Sequence, residues 1–371
     1  MRVLILSCNT GGGHNACGRA IQEICDTHGV ACDSADAVCF VSEKLSRFMA
    51  WGHTTMYRKI PGLMDKGYTF FEKHPAQTAE DSAVAKLFAS GADRLREYIL
   101  ESGADTVICT HPFSAAIVTA IQRNDPLPIK TALVATDYTC SPLVQESVMD
   151  IHFIPAESIA HEFICDNIPY SKIAVSGIPI EQTFYTKEEM NYAKAYFGIP
   201  ADVRHLVMMC GSMGCGPMED MLETLSNDGS FHITVVCGTN EKLREKLTKH
   251  YREMPHVHIH GFVKKVSLLL DSADLFLTKP GGISTTEGAV KAVPMVFIDT
   301  VAACESYNMN FFVNAGGAVA SDDPNTVCQY CIELMEDPRR REEMSLALEG
   351  LHMPNAADCI FETMHALVGE I

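Results

Sequence analysis

The chain has 371 residues and a mass of 40.7 kDa, with 47% of its residues apolar and 20% charged. That size exceeds what one hydrophobic core serves, so two domains are expected; the composition excludes a disordered, collagenous or coiled-coil protein. With 29 Lys+Arg against 47 Asp+Glu, the net charge of −18 argues against a nucleic-acid binder and against general adhesion to anionic lipid.

No run of 18 uncharged apolar residues occurs, so no membrane-spanning helix is expected. Met1–Ser7 passes from one Arg straight into a short apolar run, without the core of a secretory signal. The 15 cysteines are not spaced as a disulfide framework, and Cys109, Cys210 and Cys237 lie inside apolar runs. They read as reduced thiols of a cytosolic protein. Cys328 and Cys331 read as helix packing rather than as a metal or redox pair.

In chain order, Arg2–Ser7 predicts a strand and Ala16–Thr27 a helix after a glycine turn. Strands follow at Ala31–Val38, Thr106–Thr110, Lys130–Ala135, Ile151–Ile154 and Ile173–Val175, with a helix near Ser114–Arg123. A second series begins at His205–Cys210 and continues through His232–Cys237, His256–His260, Leu275–Thr278, Met295–Ile298 and Ala318–Ala320. Strand–helix alternation of this kind implies α/β architecture with parallel sheets covered on both faces. Two series imply two Rossmann-like doubly wound domains facing a cleft, 1–176 and 177–353. Pro354–Val368 predicts a last helix, and 354–371 is expected to pack back on the first domain.

Three glycine clusters fall at strand ends, where open α/β sheets bind ligands. Thr10-Gly11-Gly12-Gly13-His14 follows the first strand. It is neither the dinucleotide fingerprint nor a P-loop. His14 is a titratable group at its mouth, or else a capping histidine. Cys210-Gly211-Ser212-Met213-Gly214-Cys215-Gly216 opens the second series and could wrap a phosphate. Lys279-Pro280-Gly281-Gly282-Ile283-Ser284-Thr285-Thr286-Glu287 ends a strand and opens a helix whose amides suit a diphosphate. Glu287 is placed to meet ribose hydroxyls, or to form a capping box with Ser284.

As an ordered set these motifs resemble GT-B glycosyltransferases of the MurG and monogalactosyldiacylglycerol synthase group, including the processive diacylglycerol glucosyltransferases. Gly11–His14 resembles that group's glycine–histidine turn, and Thr110-His111-Pro112 and Thr136-Asp137-Tyr138 its His-Pro and Thr-Asp stretches. Ser176-Gly177-Ile178-Pro179-Ile180 resembles the interdomain segment. His260-Gly261-Phe262-Val263 is similar to the loop that pairs with uracil, and Glu305-Ser306-Tyr307-Asn308 to the stretch that meets sugar and phosphates. Gly-Ser-Met-Gly in the second-domain turn departs from the MurG form, Lys279 fits the diacylglycerol branch, and Glu305 stands where Gln is common.

The resemblance implies inverting transfer of a hexose from a UDP-sugar to diacylglycerol or a related lipid, with no metal or other cofactor. A base must take the proton of the acceptor hydroxyl, and His14 and Asp137 are the two candidates; Asp137 could instead orient a histidine. Gly13, Gly211, Ser212, Phe262, Val263, Lys279, Gly281, Gly282, Ser284, Thr285, Glu287, Glu305, Ser306 and Asn308 are the donor-side candidates. His111, Pro112, Trp51, Tyr57, Arg58 and Tyr68 are the acceptor-side ones.

Residues 43–74 carry six basic side chains against three acidic ones, with the chain's only Trp. Such a segment suits contact with an anionic membrane surface, or else an ordinary helical hairpin. A cytoplasmic enzyme peripheral to the inner face of the membrane is the resulting expectation, with no obligate protein partner evident. His256, His258 and His260 alternate and share one strand face, with metal binding a minor reading. The alternatives left open are a MurG-like transferase on a polyprenyl-linked acceptor, a UDP-sugar epimerase, and a non-catalytic nucleotide-sugar-binding protein.

Overall fold

A computed structural model of the chain describes residues 1–9, 12–59, 74, 82–145, 147–298 and 303–369, without the side chains of 53, 54, 56–59 and 303. Both sheets are built from short strands, the central ones mainly apolar and buried on both faces as parallel sheets require, the edge ones only partly buried. In the first sheet these are β1 (Val3–Ser7), β2 (Cys32–Asp36), β3 (Thr106–Cys109), β4 (Lys130–Val134), β5 (Ile151–Ile154) and β6 (Ile173–Val175). Their order is β2-β1-β3-β4-β5-β6, and every pairing is parallel. The second sheet holds β7 (Arg204–Met209), β8 (Phe231–Val236), β9 (Val257–His260), β10 (Leu275–Thr278), β11 (Met295–Ile298) and β12 (Ala318–Ser321). Its order is β12-β11-β10-β7-β8-β9, again all parallel.

Contacts divide the chain into two compact units. One is Met1–Gln182 with Ala302–Cys304 and Pro354–Ile371; the other is Thr183–Val301 with Glu305–Met353. The first unit keeps the chain through Gln182 because that residue is tied into it: its amide donates to Glu23 at 3.2 Å and its side chain to Asn355 Oδ1 at 3.2 Å. The last helix, Ala356–Gly369, lies along the helix Gly12–Thr27, with Phe361 stacked on His28 at 4.3 Å between ring centroids. Cys328 and Cys331 are buried in the core of the second unit, packing the helix Pro324–Glu336.

One difference from the sequence reading matters for the site. The helix predicted from Ala16 begins at Gly12, so Gly12, Gly13 and His14 form its first turn rather than a turn before it. Glycine is poor in a helix interior but costs little in a first turn, where the amides lack partners anyway.

The second sheet gathers histidines on one face. His205 pairs with His232 across β7 and β8, and Thr234 with His258 across β8 and β9. His258 Nε2 lies 2.9 Å from His232 Nδ1, so one ring donates to the other and both cannot be charged. Burial lowers His205 to a pKa of about 3 and His258 to about 4, neighbouring histidines adding to the effect on His258. In the first unit burial lowers His152 to about 4. Each folded pKa lies below the unfolded value of ~6.5, so in that window the unfolded chain binds more protons and stability falls as pH falls. Thermal unfolding followed from pH 7.5 to 4.5 should show a steady drop in Tm, with a shallower slope in His258→Asn, which removes one of the protons taken up.

Candidate functional site

In a doubly wound sheet, the loops after the two strands at which the order reverses diverge and leave a crevice. In the first unit that reversal lies between β1 and β3, and the residues following β1, β3 and β4 meet there. His14 Nδ1 is 2.8 Å from the Thr110 carbonyl oxygen and 3.1 Å from Thr136 Oγ1. A carbonyl only accepts, so Nδ1 carries the hydrogen and Nε2 keeps its lone pair. That tautomer is the one a general base needs.

Burial pushes the His14 imidazole below its ordinary pKa, while the Asp137 charge and the Thr110 hydrogen bond pull it back up. The ring is neutral at pH 7, and the imidazolium formed on taking a proton has a carboxylate near it. His111 packs against it with ring centroids 4.4 Å apart, edge to face. Held extended before Pro112, as a residue preceding proline should be, His111 caps the helix Pro112–Asn124: its Nδ1 accepts from the Phe113 amide at 3.0 Å. Its place beside His14 makes it a wall of the crevice as well as a cap.

In the second unit the reversal lies between β7 and β10. Thr278 closes it by donating its hydroxyl to the Met209 carbonyl at 2.6 Å. After β10, Gly281 is the N-cap of the helix Gly282–Val290 and no side chain caps it. Gly281 thus leaves the first amides of that helix uncapped by its own side chain, an arrangement suited to an anion. Lys279 is buried beside this turn, and a Cβ on Gly216 would stand 3.1 Å from its Cε. Glycine at 216 thus lets the turn after β7 close over the lysine stem.

Several donor-side candidates take other roles. Ser284 and Glu287 lie inside the helix, so they do not form its capping box. Thr285 is fully buried, and its hydroxyl donates to the carbonyls of Gly281 and Gly282, which turns it into the helix. Asn308 is also fully buried; its Nδ2 donates to Pro280 O at 3.0 Å, bracing the turn rather than opening onto it. Glu305 is buried, Gly13, Gly211, Gly281, Val263, Ser284, Glu287 and Ser306 half-buried, and Ser212 and Phe262 exposed.

On the acceptor side, the helix Glu43–Lys59 presents Lys44, Arg47, Phe48 and Trp51 as one exposed stripe. Phe48 and Trp51 are each 64% exposed with rings 6.1 Å apart, while Leu45 and Met49 pack into the core. Tyr57 and Arg58 belong to this helix with their side chains undescribed, and Tyr68 lies outside the described residues.

Residues 14–180 match the family model described as monogalactosyldiacylglycerol (MGDG) synthase. A processive diacylglycerol beta-glucosyltransferase of Bacillus subtilis (strain 168) is 25% identical over 365 residues, which span 97% of this chain and 94% of that protein. Among solved structures, Acinetobacter baumannii MurG matches with a TM-score of 0.64 at 15% identity, covering 98% of this chain and 99% of that one. An S. aureus MnaA–UDP co-structure matches with a TM-score of 0.66 at 14% identity, covering 100% of this chain and 98% of that one. The fold is GT-B and the protein is a glycosyltransferase. The match to the family model begins at His14 and takes in His111, Thr136 and Asp137.

Sequence reasoning missed Thr136 as a partner of His14, since the contact depends on β4 lying beside β3. It also missed Asn240, whose Nδ2 donates to Gly214 O at 3.0 Å and ties the turn after β7 to the loop after β8. Gly214 and Gly238 both have positive φ, and a Cβ on either would collide with the carbonyl across from it, that of Cys237 or Ser212. Gly214→Ala should therefore force these loops apart and lower the Tm by several degrees in differential scanning calorimetry, whereas Gly229→Ala, which meets nothing within 4 Å, should not.

Proposed function

We propose that the protein transfers a hexose, with inversion, from a UDP-sugar to diacylglycerol or a related lipid at a membrane surface. The observation that carries this reading is the His14 constellation, a neutral imidazole with its Nε2 lone pair free of the Nδ1 hydrogen bond and a carboxylate close enough to favour its charged form. An acceptor hydroxyl is a poor nucleophile, and a base matched to neutral pH lowers that barrier. Full-length likeness to a processive diacylglycerol beta-glucosyltransferase supports the acceptor class.

In the step proposed, the lipid oxygen attacks the anomeric carbon while its proton passes to His14 Nε2. The bond from that carbon to the diphosphate breaks, and its electron pair stays on the leaving UDP oxygen. Within the second unit, the first amides of the helix Gly282–Val290 and the Lys279 ammonium are the groups suited to the charge of a UDP diphosphate. Asn308 acts one layer back by holding the Pro280 carbonyl. The stripe of Lys44, Arg47, Phe48 and Trp51 supports contact with an anionic membrane: two cations on the polar side, two aromatics to enter the headgroup layer.

UDP release from a UDP-sugar should depend on added diacylglycerol and be lost in His14→Ala; release without lipid would favour another reaction on this fold. Since the base must be neutral, activity should persist below pH ~6.5 and fall only as pH drops through the depressed pKa of His14. Asp137→Asn removes the charge that raises that pKa, so the acid limb of kcat against pH should move to lower pH with activity retained. Complete loss in Asp137→Asn would make Asp137 the base. Phe48→Ala combined with Trp51→Ala should weaken sedimentation with phosphatidylglycerol-containing vesicles and leave UDP affinity unchanged.

A further inference from the structure

Asp36 ends β2 beside the first crevice, and its carboxylate gathers donors from three elements. Oδ1 accepts from the Val38 amide at 3.0 Å, while Oδ2 accepts from Asn9 Nδ2 at 2.8 Å and from the Ser46 hydroxyl. The row continues toward the site. Asn9 Oδ1 accepts from Asn15 Nδ2 at 3.1 Å, and Asn15 Oδ1 accepts from Ser7 Oγ at 2.7 Å. One directed chain of hydrogen bonds therefore runs from Ser7 through Asn15, the residue after His14, and Asn9 to Asp36.

Direction in this row has one source. Ser, Asn and the second Asn can each donate or accept, so none of them decides which way the amides face. An ionised carboxylate only accepts, and it sits at the end. It thereby fixes the amide of Asn9, which fixes that of Asn15. Replacing Asp36 by Asn leaves the size unchanged but puts an NH2 group on one side. The Val38 amide cannot reverse, so the NH2 must face Asn9, whose amide then flips to accept; the Asn15 amide flips in turn. The disturbance arrives next to His14.

The same carboxylate reaches the helix Glu43–Lys59 through Ser46, which is buried while Lys44, Arg47, Phe48 and Trp51 of that helix are exposed. Resting on the transferase reading above, we propose that Asp36 is a positioning residue for glycosyl transfer: it orients the amide row that seats His14 and fastens the exposed aromatic helix to the same point. The reacting atoms are handled by His14; Asp36 acts through its neighbours.

The test is a kinetic comparison of Asp36→Asn, Asn15→Ala and the double variant in lipid-dependent UDP release. Asp36→Asn should lower kcat by ~10- to 100-fold, the scale set by small misplacements of a catalytic group, with the KM for UDP-sugar little changed. The acid limb should stay where it is, in contrast to Asp137→Asn. If the row acts as a unit, the double variant should be no slower than the slower single one. Multiplied losses in the double variant, a change confined to KM, or a fall in Tm with kcat per folded molecule intact would each overturn the proposal. A readout free of activity keeps it apart from the functional reading: the 15N resonances of the His14 ring should shift in Asp36→Asn and remain in place in Asp33→Asn, which lies on the same strand but pairs with Arg2. Should the wild type release no UDP with lipid, the transferase reading falls, and unshifted His14 resonances would overturn the positioning role independently.

Discussion

A carbonyl oxygen that can only accept determines the chemistry of the first unit. Thr110 follows β3, and β3 lies beside β1 because the strand order reverses there. The Thr110 amide is already bonded to the Leu6 carbonyl at 3.0 Å, so its own carbonyl is held where the first turn of the next helix presents His14. Tautomer, ring orientation and lone pair all follow from that position. The second unit uses a related link at its own reversal, where the Thr278 hydroxyl meets Met209 O across β10 and β7. In both units the strand ends are secured to each other, and the loops that depart from them carry the groups suited to a ligand.

Legibility differed between the fold and the site for a physical reason. Strands such as Leu275–Thr278 and Met295–Ile298 are uninterrupted apolar runs because helices cover both faces, and that pattern is local. The start of the helix Gly12–Thr27 was misread because three glycines read as a break, whereas a first turn tolerates them. The Ser284–Glu287 spacing matched a capping box, but the helix begins at Gly282, which puts both residues past its start. Thr285 and Asn308 fall in the right segments yet point inward, a fact no spacing rule reveals. The row from Ser7 to Asp36 was invisible for a different reason: its linked members are ordinary polar residues 6 to 27 positions apart. Only the parallel pairing of β1 with β2 brings them together.

Buried charge in the second unit serves architecture rather than chemistry. Lys291 reaches Asp271 at 2.7 Å with both side chains enclosed, and Asp271 also accepts from the Glu188 amide at 3.2 Å. Lys194 similarly joins Asp274, which accepts from the His205 amide. Breaking one member of such a pair strands the other's charge, so they act as fixed points where the chain enters the unit and where β7 begins. The surface charge has another pattern. The overall −18 is an average, and the helix Glu43–Lys59 departs from it where its aromatics are exposed.

The two glycines at 214 and 238 carry a consequence for how this enzyme can change over time. Each occupies the space where the other's loop places a carbonyl, and Thr239 N donates to Ser212 O at 2.9 Å between them. The turn after β7 and the loop after β8 are thus a single module divided between two stretches of sequence. A change in the length or course of one stretch therefore calls for a matching change in the other, and the two can be exchanged only as a pair.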